Sequence, residues 1–163
     1  MKKNTFLHFS LNNKLFYKVY LYYNLYIRNF KYLFKENYSQ VDEDIFIKNY
    51  FSKKKGFYID IGCYHPLDGN NTYLLYKKGW SGVNVDINKT SIELFKIARK
   101  KDFNFNIAIS DKSKKVRVFF RKKINMLNTI VKKNAITNFQ KGFSSAYIKS
   151  ISLNSILKSL NLK

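Results

Sequence analysis

The chain predicts an α/β fold in which helices alternate with strands of a parallel sheet, and three observations carry that expectation. Short apolar stretches of strand length stand at residues 57–61, 82–86 and 104–109. Between them, residues 71–77 and 90–100 repeat apolar side chains with helical spacing. Glycines fall where the chain must leave one element for the next, as in Asp60-Ile61-Gly62 and Gly79-Trp80-Ser81-Gly82. Such alternation requires crossover connections, which run right-handed.

Residues 6–38 are read as an N-terminal amphipathic helical segment. At about 100° per residue, Lys14, Lys18, Arg28, Lys31 and Lys35 share one sector with Asn13 and Asn24. Leu15, Phe16, Val19, Tyr22, Tyr23, Tyr26, Phe30 and Leu33 occupy the rest. The apolar face predicts packing on the domain or on a subunit, and a basic aromatic helix also suits a membrane surface. No apolar run approaches the roughly 20 residues needed to span a bilayer. A signal peptide is not expected either, because the apolar stretch after Lys2-Lys3 breaks at Asn12-Asn13-Lys14.

A second helix is predicted over 42–51, with Ser39 as its cap and Ile45, Phe46, Tyr50 and Phe51 facing inward. Lys53-Lys54-Lys55 reads as a solvated turn. Beyond the third strand, residues 116–121 and 146–151 predict two more strands, the latter leading into a short helix capped by Ser152. Residues 122–145 have weak periodicity and are assigned no element.

The 163 residues allow one domain, and the formal net charge is +21. Charge of that size often marks an anionic partner such as nucleic acid. Here the basic residues are scattered through every predicted element, and Lys, Asn, Ile, Phe and Tyr are abundant together, as in translation from an AT-rich genome. Composition therefore accounts for the charge better than a nucleic-acid partner does. The lone Cys63 cannot form an internal disulfide, which fits a reducing compartment and a cytoplasmic location. His8 and His65 have no companions at ligand spacing, so no metal site is expected. His65-Pro66 is read as a turn-shaping pair, Cys63 as a buried thiol and Trp80 as a packing anchor.

Asp60 and Asp86 end neighbouring strands if the residues between them make one crossover. Strands lie about 4.8 Å apart, so both acids can flank one bound molecule. Gly62 frees the backbone for a sharp turn and a close ligand approach. A carboxylate after the second strand is where nucleotide-binding folds hold both ribose hydroxyls. A full G-x-G-x-x-G loop, which serves a pyrophosphate, is missing, so an adenosine cofactor without phosphates is favoured. Asp60 also has a plainer reading as the cap of the next turn, and Asp86 as the cap of a following helix.

The ordered set Ser39-Gln40-Val41-Asp42-Glu43-Asp44, Tyr58-Ile59-Asp60-Ile61-Gly62, Asn70-Asn71-Thr72, Gly79-Trp80-Ser81-Gly82, Val85-Asp86 and Asn106-Ile107-Ala108-Ile109-Ser110-Asp111 resembles the FkbM family of S-adenosylmethionine-dependent methyltransferases. The match continues into Ser152-Leu153-Asn154-Ser155-Ile156-Leu157. The resemblance implies a Rossmann-like class I methyltransferase core over 39–163, preceded by the N-terminal helices. It puts Asp60 and Gly62 near the methionine end of S-adenosyl-L-methionine and Asp86 on the ribose, with Cys63 also in the cofactor-binding turn. Asn71 and Ala108 match further cofactor positions, and the Asp111 loop lies near the adenine. The implied acceptor is a hydroxyl of a sugar, another glycan or a small metabolite; no catalytic residue can be assigned. The chain departs from the family in having Asp86 where Glu is commoner, and in stopping before an acidic I-D-x-E-G-like motif. An incomplete sheet is therefore expected, with an inactive fragment and a basic nucleic-acid-binding module as the rival classes.

Overall fold

A computed structural model describes residues 13–51, 55–140 and 142–161, apart from the side chain of Leu33. Lys2, Lys3, His8, Lys53, Lys54 and the start of segment 6–38 lie outside the described residues. Asn13 opens helix α1 (Lys14–Tyr22) by accepting the Leu15 N–H at 2.9 Å. The helix widens into a π turn (Tyr23–Arg28) and then, past Asn29, tightens into a 3-10 turn (Phe30–Phe34). Two buried asparagines account for the change of pitch. Asn29 Nδ2 donates to the Asn24 carbonyl at 2.8 Å, in competition with the regular ladder.

The inward face of this segment is not the one the wheel predicts. Leu21 and Leu25 are buried against Leu67 and Leu94, whereas Leu15 is 67% and Val19 57% exposed, with Phe16, Tyr22, Tyr23, Tyr26 and Phe30 likewise exposed. Buried Asn24 bonds His65 and Asn29 bonds Asn24, and that polar linkage fixes which side turns in.

Helix α2 (Glu43–Tyr50) starts after Asp42, which sits at φ 64°. Ser39 serves its start through Asp44, whose fully buried carboxylate accepts from Tyr38 N and Ser39 Oγ, each at 2.7 Å. The inward residues are Asp44, Ile47 and Phe51, while Phe46 and Tyr50 point to solvent. Anchoring at Asp44 rotates the helix away from the expected face.

Strands β1 (Phe57–Ile61), β2 (Ser81–Asp86) and β3 (Phe103–Asn106) form a parallel sheet in that order. Helix α3 (Tyr73–Lys77) lies between β1 and β2, and α4 (Lys89–Ala98) between β2 and β3. Asn88 caps α4 by accepting from Thr90 N and Ser91 N. Trp80 packs against Tyr58 and Leu75, with its ring 5.4 Å from that of Phe51. The architecture is therefore mixed α/β around three parallel strands, as alternation predicts.

The strand expected over 104–109 divides at Ile107. Asn106 Nδ2 donates to the Asp86 carbonyl at 2.9 Å, after which the chain leaves the first sheet. Strand β4 (Ala108–Ile109) instead pairs in parallel with β6 (Ser144–Ile151), which pairs antiparallel with β5 (Lys114–Phe120). Helix α5 (Lys132–Asn138) lies in the stretch with weak periodicity and buries Ala135 with Phe119 and Phe139. Ser152 accepts from Ser155 N at 3.1 Å to cap α6 (Leu153–Ser159). Ile156 of that helix closes over Val83 and Val85.

Candidate functional site

The carboxyl ends of the first sheet converge on one hollow, and its floor is made by backbone turns that the sequence dictates. Gly62 lies at φ 79°, where a side chain would be strained, and donates its N–H to the Val85 carbonyl at 2.8 Å. Tyr64 follows at φ 54°, an unusual setting for an aromatic residue. Its N–H donates to Asp86 Oδ2 at 2.9 Å, while Asn88 N donates to Asp86 Oδ1 at 2.6 Å. One carboxylate thus ties the loop after β1 to the loop after β2. Each oxygen keeps a further lone pair, so the group can still accept from a diol. Burial is the largest influence on Asp86 and raises its pKa; the two backbone donors oppose it.

His65 holds the same loop from the other side. Its Nδ1 accepts from Leu67 N at 3.1 Å and Asp68 N at 3.0 Å, which leaves the ring proton on Nε2, 3.0 Å from Asn24 Oδ1. Burial holds its pKa down to about 4, so the ring is neutral at pH 7. The expected turn-shaping role of His65-Pro66 is carried out by a ring nitrogen standing in for a backbone acceptor.

Asp60 serves a network the sequence does not announce. Its Oδ2 accepts from Thr72 Oγ1 at 2.9 Å and Asn70 Nδ2 at 3.3 Å. Behind these stands Arg99, fully buried, which donates to Thr72 Oγ1 at 2.7 Å, to the Pro66 carbonyl at 2.8 Å and to Asn70 Oδ1. Arg99 also reaches Tyr58 Oη at 3.3 Å, and Tyr58 donates to Asp102. The buried cation therefore meets two carboxylates, each through one hydroxyl. Its guanidinium also lies 4.8 Å from the centre of the Phe95 ring. Desolvation raises the Asp60 pKa, against the pull of Thr72 and Arg99.

The hollow has a volume of about 270 Å³ and is lined by Gly62 and Tyr64 after β1, Asp86 and Ile87 at the end of β2, and Ala108 and Ile109 beyond β3. Asn125, Met126 and Asn128 to Ile130 close it from the stretch left unassigned by periodicity. A second hollow of about 530 Å³ shares Ile87 and Asn128 with the first and carries Lys122 and Lys123. Together the two fall in the usual range for ligand sites, ~300–1,000 Å³.

Of the residues expected to hold a cofactor, Gly62, Asp86 and Ala108 come together around this hollow. Asp60, Cys63, Asn71 and Asp111 are not among its lining residues. Cys63 is buried against Ile92 and Phe95, with its thiol pKa pushed up by burial, and Asn71 and Asp111 are exposed. Tyr64 and the 125–130 segment were missed: nothing in a tyrosine marks a left-handed φ, and the segment carries no regular spacing. No group of three or more His, Cys, Asp or Glu is placed to hold a metal ion among the described residues. Comparison with known protein families, with curated proteins and with solved structures finds no match.

Proposed function

We propose that this chain carries out S-adenosylmethionine-dependent methyl transfer to a hydroxyl of a sugar or small metabolite, on a Rossmann-like core formed by residues 39–163. One observation carries the reading: a hollow at the carboxyl ends of three parallel strands, with Gly62 and Asp86 on its wall. Open α/β sheets bind ligands at that end. The residues present fit an adenosyl group. Asp86 retains acceptor capacity for two ribose hydroxyls, Gly62 offers no Cβ to obstruct a close approach, and Ala108 is small.

S-adenosylmethionine would supply an electrophilic methyl on sulfur. The chain's own part is to hold the partners in line and keep water out, which needs no protein nucleophile. Tyr64 and the 125–130 segment are placed to exclude solvent from the hollow.

Titration calorimetry with S-adenosylhomocysteine tests the reading. Wild type should bind saturably and Asp86→Ala at least about tenfold more weakly, the scale of hydrogen bonds to a charged acceptor. Undetectable binding by wild type would sink it, and equal affinity in the variant would remove Asp86 from the site.

A second reading is favoured by the outer edge of β1. Among the described residues this strand pairs with β2 alone, and Ile59 is 39% and Ile61 52% exposed. Val83 and Val85, on the same face by register, are covered by α6. In this reading catalysis requires a further strand beside β1, supplied by another polypeptide or segment.

A further inference from the structure

The aromatic side of the N-terminal segment is the largest feature that the proposed chemistry leaves unused. Leu15, Val19, Tyr22 and Tyr26 follow one another at helical spacing and, with Tyr23 and Ile27, line a shallow apolar groove of about 590 Å³. All six are exposed, Ile27 to 66%. The segment has its inward contacts already, through Leu21, Leu25, Asn24 and Asn29, so this groove is not an unfinished part of the core. Contiguous apolar surface of this kind marks an interaction site.

The surrounding charge identifies what the site accepts. Lys18 lines the groove itself, and Lys14, Arg28, Lys31 and Lys35 are exposed along the same segment. No acidic residue occurs before Glu36. A second copy of the chain would bring two such sets of cations together, at a cost in repulsion. An anionic lipid surface pairs with them. Tyrosine also suits the boundary, since its ring is apolar and its hydroxyl stays wet. We infer that residues 14–35 form a peripheral docking surface for anionic membranes, with the Leu15, Val19 and Tyr22 side lying in the headgroup boundary and Lys18 at the groove, with Lys14 one turn before it, reaching the lipid phosphates.

Co-sedimentation of the full chain with vesicles decides this. Vesicles of phosphatidylcholine with about a third phosphatidylglycerol should carry the protein down, and phosphatidylcholine alone should not. Val19→Glu/Tyr26→Glu, both at exposed positions, and Lys14→Glu/Lys18→Glu should each lower the partition coefficient more than about tenfold. Lys114→Glu/Lys115→Glu, an exposed pair at the start of β5, away from the Val118 and Phe120 that share a hollow with Tyr17, should leave it within about twofold. Equal loss from the β5 variant would mean that overall charge and not this surface binds lipid, and would overturn the inference. Absence of wild-type binding to the anionic vesicles would do the same. So would a vesicle-free dimer abolished by Val19→Glu/Tyr26→Glu, which would assign the groove to a second copy.

Discussion

His65 shows how one side chain can set a loop and also the acid limit of the molecule. Its ring is neutral in the fold because burial depresses the pKa from 6.5 to about 4. An unfolded chain takes up that proton near pH 6.5, the folded one only near 4. Stability is therefore fully present above about pH 6.5 and is lost progressively down to about pH 4, by roughly 3 kcal/mol at most. Asp60 and Asp86, raised by burial, act in the opposite sense, because the fold binds their protons more readily than the open chain does. Comparison with His65→Gln isolates the histidine. The difference in thermal midpoint between wild type and variant should be constant above pH 7 and should shift against wild type between pH 6.5 and 4.5. A difference independent of pH would contradict a neutral, buried ring. Arg99 belongs to the same scale. No sequence pattern distinguishes it from the other basic residues, yet among the described residues it is the fully buried one, and Asp60 is held by its network and not by the hollow.

At the level of elements, the three parallel strands, the two helices between them and the helix capped by Ser152 were legible, because apolar spacing and caps are local. Three features were not. The strand over 104–109 divides because Ala108 finds a partner in Ser150, some forty residues on, which no local pattern encodes. The inward faces of α1 and α2 are chosen by buried polar contacts at Asn24 and Asp44, and apolar periodicity is blind to those. The hollow's cover at 125–130 is irregular backbone placed by tertiary contact. The exposed edge of β1 makes a further prediction. Its outward amides should exchange with solvent faster than those of β2, which pairs on both sides. A polypeptide that adds a strand beside β1 should slow them. Slow exchange throughout β1 in the isolated chain would remove the second reading.

For the whole molecule the governing quantity is its charge. With a net charge of +21 and, among the described residues, one ion pair, Lys89 with Glu93 at 3.9 Å, repulsion outweighs attraction at the surface. Salt should then stabilise the fold. Raising ionic strength from about 0.01 M to about 0.15 M shortens the screening length from ~30 Å to ~8 Å and should raise the thermal midpoint by several degrees. A midpoint that falls over this range would mean that attractive pairs dominate. The same addition weakens any lipid contact through the N-terminal cations, so stability and docking should move in opposite directions as salt rises.

Strand β4 has only two residues, and both Ala108 and Ile109 line the hollow while pairing with β6. Its wall is therefore held from behind by the antiparallel β5–β6 pair of the second sheet. A cavity-forming substitution deep in that pair would be felt as a change in the fit of any guest, although the altered side chain never meets it.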